Sequence, residues 1–107
     1  MVQRVKQDPL CWHGGVRTLQ GHVILTATDA LLDGKLLKSI STPVILFQGE
    51  KDQLVSPEGA PFFHDNVGSR DKRLLTYPEA YHNLYVELEE VKAVVIHETC
   101  DWIVKHL

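Results

Sequence analysis

Cysteine, methionine and tryptophan are scarce here: two Cys, one Met and two Trp in 107 residues. Cys11 and Cys100 stand alone, without the paired spacing of a zinc site, and two isolated cysteines do not make a disulfide scaffold. Their sparseness suits a reduced, intracellular protein, so a cytoplasmic location is expected. The histidines show neither H-x-x-x-H nor H-E-x-x-H, so no metal site is expected. Lysine and arginine number 11 against 14 acidic residues, a net charge of −3. With no basic run and no basic–aromatic interleaving, nucleic acid is excluded as an expected partner. No apolar run reaches the length of a membrane span. The opening stretch MVQRVKQDPL lacks an apolar signal core, so no secretory leader is expected. Internal repeats and low-complexity tracts are also missing.

What is present is ordinary for one modest globular domain: 44% hydrophobic and 23% charged residues. Asp8–Trp12 reads as a turn or extended lead-in because of Pro9. From about Val16 to Leu32, Val16, Leu19, Val23, Ala27 and Leu31 recur at steps of three and four, predicting a one-sided helix ended by Gly34. Pro43 can open a strand but not sit inside one. The continuous apolar run Val44–Gln48 then reads as a strand buried on both faces, as in parallel sheets. Ser56–Pro57 predicts an N-cap with proline in the first helical position. The helix it opens, to about Asn66, would turn Ala60 and Phe63 inward. Arg73–Tyr77 is a second short strand. From about Leu88 to His106 a last helix carries the stripe Leu88, Val91, Val95 and Trp102, with Trp102 expected in the core. Glu87, Glu89 and Glu90 lie near the positive end of its dipole and Lys105 and His106 near the negative end.

Helix, strand, helix, strand, helix argues an α/β fold of short parallel strands. Parallel strands end on one edge of their sheet, where open α/β sheets bind ligands. Asp52 follows the first strand and His82 the second, so the topology brings an acid and an imidazole to one crevice. A carboxylate beside an imidazole fixes its tautomer and stabilises its protonated form, the task of the acid and base in a nucleophile–histidine–acid triad. Alone, an acid in a turn is most often a turn former, and a loop histidine is most often solvated. His22, His64, His97 and the Asp65 beside His64 take that plain reading.

Thr42–Phe63, TPVILFQGEKDQLVSPEGAPFF, resembles the acid-bearing strand and turn of the α/β-hydrolases. Asp71–Glu87, DKRLLTYPEAYHNLYVE, resembles their histidine-bearing segment. Asp8–Arg17, DPLCWHGGVR, looks like the end of the cap in the monoacylglycerol lipase and lysophospholipase branch. The three segments follow the family's order. The resemblance implies that residues 1–107 are the C-terminal part of an α/β-hydrolase domain: about 1–35 the end of the cap and a return helix, 43–107 the last two strands and helices. It makes Asp52 the triad acid and His82 the base, and places Leu54 and Val55 near an acyl pocket. It also implies a serine-type hydrolase of lipid esters, no cofactor, and peripheral membrane contact. The family usually has glycine where this chain has Glu79.

In that family the serine sits in G-x-S-x-G, ahead of acid and histidine. None of Ser39, Ser41, Ser56 and Ser69 has flanking glycines at that spacing. Loss of a triad nucleophile costs about 10⁶-fold in turnover, so this chain alone is expected to be inactive, and a truncated, non-catalytic binding module is the rival reading. A peptidase or thioesterase on the same scaffold is a third. The tripeptide His13–Gly15 resembles an esterase oxyanion motif but follows no strand. Cys11 precedes the acid and histidine but has no glycine elbow. Two parallel strands leave open edges, so edge-to-edge self-association is expected.

Overall fold

A computed structural model describes residues 6–86 and 88–107. The N-terminal stretch 1–5 and Glu87, expected at the start of the last helix, lie outside the described residues. The chain divides into two units, Met1–Leu32 and Asp33–Leu107.

In the first unit Asp8 builds the turn at Pro9. Its Oδ1 accepts the Leu10 N–H at 2.9 Å and its carbonyl the Cys11 N–H at 3.1 Å. Helix α1 spans Thr18–Leu32, as the periodicity predicts, yet no residue of it is buried. Ile24 and Leu25 are apolar beside the Leu19–Val23 stripe, so the apolar surface is wider than one stripe. A helix of that kind needs covering on more than one side.

The second unit opens at Gly34, whose φ of +73° is the left-handed conformation that glycine adopts without a Cβ penalty. A single helical turn, α2 (Lys35–Lys38), follows and buries Leu37. It was not legible in the sequence, because four residues show no period. Strand β1 (Val44–Gly49) pairs in parallel with β2 (Lys72–Tyr77), from Val44 opposite Lys72 to Gly49 opposite Tyr77. Among the described residues these two strands form the whole sheet. The α/β expectation of short parallel strands alternating with helices holds.

Helix α3 is Gly59–Asn66, two residues later than the predicted start at Pro57. Pro61 is the reason. A helix begun at Pro57 would need an N–H from residue 61 and would press the proline ring on the carbonyl four residues back. Begun at Gly59, the helix has Pro61 in its first turn, where N–H groups have no helical partner anyway. Ser56 instead supports a turn, accepting the Glu58 N–H on Oγ at 3.4 Å and the Gly59 N–H on its carbonyl at 3.0 Å. Ala60 and Phe63 are half-buried. Lys72 closes the other end of α3, its Nζ donating to the carbonyls of His64 at 2.6 Å and Val67 at 3.2 Å.

Helix α4 runs Glu89–Lys105. Val95 is fully buried with Ala80 and Leu84, and Phe47, Tyr77, Leu88 and Val91 pack around them. This cluster holds the end of β1, the loop after β2 and α4 together. Trp102 departs from expectation. It is half-buried at the far end of α4, where its ring lies 4.4 Å from that of His106 and 5.2 Å from Lys105 Nζ. No helix of the described residues is long and apolar enough to cross a membrane.

Candidate active site

Strand β1 leaves the sheet at Gly49, and the geometry there admits no side chain. A Cβ on Gly49 would stand 2.0 Å from the carbonyl oxygen of Tyr81 and 2.5 Å from that of Ala80. The loop after β2 thus lies directly on the end of β1. Two backbone bonds hold it there: the Glu50 N–H donates to the Tyr77 carbonyl and the Lys51 N–H to the Ala80 carbonyl, both at 3.0 Å. Ala80 is buried beneath this contact.

Asp52 follows three residues after the last of β1. Its side chain is 3% exposed, and both carboxylate oxygens are occupied. Oδ1 accepts the backbone N–H groups of Leu54 at 2.8 Å and Val55 at 3.1 Å. This is the local closure that makes aspartate a turn residue. Oδ2 stands 2.8 Å from His82 Nδ1, across 30 residues of sequence, and 3.5 Å from Gln48 Nε2. Burial works against the Asp52 charge. The bond to His82 and the two N–H groups outweigh it and lower the carboxyl pKa from 3.8 to about 2. One oxygen of Asp52 thus closes its own turn and the other meets the imidazole of His82.

His82 is more open, its side chain 47% exposed. With Nδ1 facing Asp52, Nε2 is the ring nitrogen left to exchange a proton with another group. Beside the histidine lies an open hollow of about 400 Å³ lined by Ile45, Leu46, Phe47, His82, Asn83, Leu84 and Tyr85. Leu54 and Val55 do not line it. They meet Asp52 through their backbone N–H groups and are themselves 75% and 52% exposed.

The other candidates serve local turns. Ser39 Oγ donates to the Leu36 carbonyl at 2.7 Å, and the buried Ser69 donates to the Asp71 carbonyl at 2.9 Å. In the first unit His13 Nε2 faces the Asp8 carbonyl at 3.1 Å in an exposed stretch, and Cys11 is half-buried. Both cysteines are free. Among the described residues no three His, Cys, Asp or Glu side chains are grouped so as to hold a metal ion.

Three features escaped the sequence reading. Gln48 is buried, donating to the Gly49 carbonyl at 2.8 Å and reaching toward Asp52. Its signal was a lone amide at the end of an apolar strand. Gly49 is needed for close approach, not only for a turn. Lys51 and Glu79 form an ion pair between the two loops, which no one-dimensional pattern reveals.

A protein-family model described as "Serine aminopeptidase, S33" matches residues 1–89. Curated relatives include a monoglyceride lipase of Rattus norvegicus, 34% identical over 102 residues, covering 95% of this chain and 33% of the relative. The monoglyceride lipase of Homo sapiens matches with the same identity and coverage. A monoacylglycerol lipase of Mycolicibacterium smegmatis is 27% identical over 107 residues, covering all of this chain and 37% of the relative. The chain spans about a third of the length of these relatives. Among solved structures, the monoacylglycerol lipase of Paleococcus ferrophilus superposes with a TM-score of 0.87 over 99% of this chain and 40% of its own, at 24% identity, a likeness of fold.

Proposed function

Because this chain belongs to the serine aminopeptidase S33 family of α/β-hydrolases, we propose that it supplies the acid and base of a serine hydrolase that cleaves lipid esters. The substrate class is monoacylglycerol or lysophospholipid, and the serine comes from a part of the protein outside this sequence. The observation that carries the reading is the 2.8 Å contact between buried Asp52 and open His82, beside a hollow along β1. Similarity to monoglyceride lipases at 34% identity supports the ester substrate.

In this reading a serine hydroxyl attacks the ester carbonyl and its proton passes to His82 Nε2. Asp52 holds the ring by Nδ1 and stabilises the imidazolium. His82 returns the proton to the departing alcohol. Water, activated by the same nitrogen, then releases the fatty acid. Leu54 and Val55, with exposed side chains, form part of the acyl-binding wall once the remaining chain is in place. Residues 1–35 are the end of the cap and the return helix. Their exposed Leu10, Trp12, Val16 and Leu19 suit peripheral contact with a lipid surface by a cytoplasmic enzyme.

The test is hydrolysis by the native polypeptide that contains this chain, with a monoacylglycerol and an aminoacyl amide compared side by side, together with labelling by a fluorophosphonate. Labelling and a strong preference for the ester are expected. Preference for the amide would move the protein to the peptidase side of its family. Absence of both labelling and turnover would favour a binding module.

A further inference from the structure

We infer that Lys51 and Glu79 are positioning residues whose ion pair latches the acid-bearing turn to the histidine-bearing loop and so keeps His82 on Asp52. The inference rests on the reading of Asp52 and His82 as acid and base.

Lys51 Nζ pairs with Glu79 Oε2 across 28 residues of sequence. Lys51 immediately precedes Asp52, and Glu79 stands three residues before His82. The two backbone bonds between the loops end at Tyr77 and Ala80, on either side of Glu79. Beyond Ala80, the backbone of Tyr81 packs on Gly49 and His82 bonds Asp52. The ion pair adds a side-chain tie at the point where the loop departs toward the histidine. A glycine at position 79, usual in the family this chain resembles, has no carboxylate with which to make it.

The pair is exposed, 46% at Lys51 and 75% at Glu79, and an exposed ion pair adds little to global stability. Its bond to Glu79 nonetheless raises the Lys51 pKa. Lys51 donates its own N–H to Ala80, and Glu79 lies between Tyr77 and Ala80, which are bonded to each other and to the acid turn, so less freedom is lost in forming the pair. Its effect falls on local opening of the two loops, which occurs without global unfolding.

Hydrogen exchange read by NMR on the native polypeptide that contains this chain tests this at three protons: the Leu54 and Val55 amides bound to Asp52, and the His82 Nδ1 proton. Glu79→Gln and Lys51→Met should each speed exchange about twofold to fivefold, the range of an exposed pair, with the urea midpoint nearly unmoved. The double variant Lys51→Glu/Glu79→Lys should restore protection, and 1 M salt should speed exchange in the parent but not in Glu79→Gln. Unchanged exchange in both single variants overturns the latch, and so does a swap that restores nothing, since the side chains would then act by bulk alone. The catalytic reading fails separately, through turnover: an Asp52→Asn polypeptide with full activity removes the catalytic role and leaves the exchange result standing.

Discussion

His82 Nδ1 lies 2.8 Å from Asp52 Oδ2, while the other oxygen of the same carboxylate closes the turn through Leu54 and Val55. One buried side chain thus fixes both the shape of the loop that carries it and the orientation of the imidazole. These two tasks have different pH signatures and different sensitivities to mutation.

The acid limb follows from the Asp52 carboxyl, lowered from 3.8 to about 2. A carboxyl whose folded pKa is depressed adds stability above its unfolded value, and that stability is lost as pH falls through the folded value. The window is therefore about pH 4 down to about 2. Urea midpoints measured from pH 6 to 2.5 should fall more steeply in the parent than in Asp52→Asn, which has no proton to take up. Parallel curves would show that the carboxylate is not held by these bonds.

Gly49 is the point at which the two loops touch. Gly49→Ala puts a methyl group 2.0 Å from the Tyr81 carbonyl, a backbone atom that can move only with its loop. The variant should lose about 1–3 kcal/mol of stability through overpacking and lose the Asp52–His82 contact. Gly59→Ala, at the start of α3 with nothing within 4 Å of its Cβ, is the control and should be neutral or slightly stabilising. Equal melting of the two variants would contradict the close approach.

The far end of α4 carries a clasp of opposite pH sense. His106 Nδ1 stands 2.6 Å from the Trp102 carbonyl and Nε2 2.8 Å from Asp71 Oδ2, so both ring nitrogens face acceptors and the ring must be doubly protonated to satisfy them. The Asp71 bond and then the Trp102 bond raise the His106 pKa, against partial desolvation and the nearby Lys105 ammonium, which also reaches Asp71 at 3.3 Å. A raised folded pKa adds stability below the unfolded value near 6.5, and it is lost as pH rises through the folded value. Protection of the last-turn amides of α4 should drop from pH 6 to 9 in the parent and stay flat in His106→Gln. A similar drop in the variant would exclude the clasp.

Among the described residues, one edge of β1 is open. The N–H groups of Val44 and Glu50 point to β2, so by alternation those of Ile45, Phe47 and Gly49 point away from it. Such a row templates pairing with another chain. The isolated chain should self-associate at micromolar concentration, and Ile45→Pro, which removes an outward N–H and no bond to β2, should shift sedimentation toward monomer. An unchanged distribution would place the association elsewhere.

Much of this was legible in the sequence. Val44–Gln48 and Arg73–Tyr77 showed as strands because short apolar runs closed by Gly49 and Pro78 leave few alternatives. Asp52 and His82 could be paired because each follows a parallel strand, and parallel strands share an edge. Their roles came from resemblance, since a turn-forming aspartate looks the same in one dimension. The start of α3 was misplaced although Pro61 stood in plain view; its effect operates four residues upstream, where local capping preferences do not look. The Trp102 assignment failed because a stripe names a helix face and not how far the core reaches along it. Lys51 and Glu79 were invisible as a pair, because a contact across 28 residues depends on the loops that fold between them.

Ester turnover by the native polypeptide, parent against Asp52→Asn, with circular dichroism of both, tests the acid role of Asp52. Asparagine keeps the shape of the side chain but cannot stabilise the imidazolium. A fall in kcat of about 10³ to 10⁴-fold, with the spectrum retained, is expected. Turnover equal to the parent, in a folded variant, would show that the Asp52–His82 pair is structural and that the chemistry lies elsewhere.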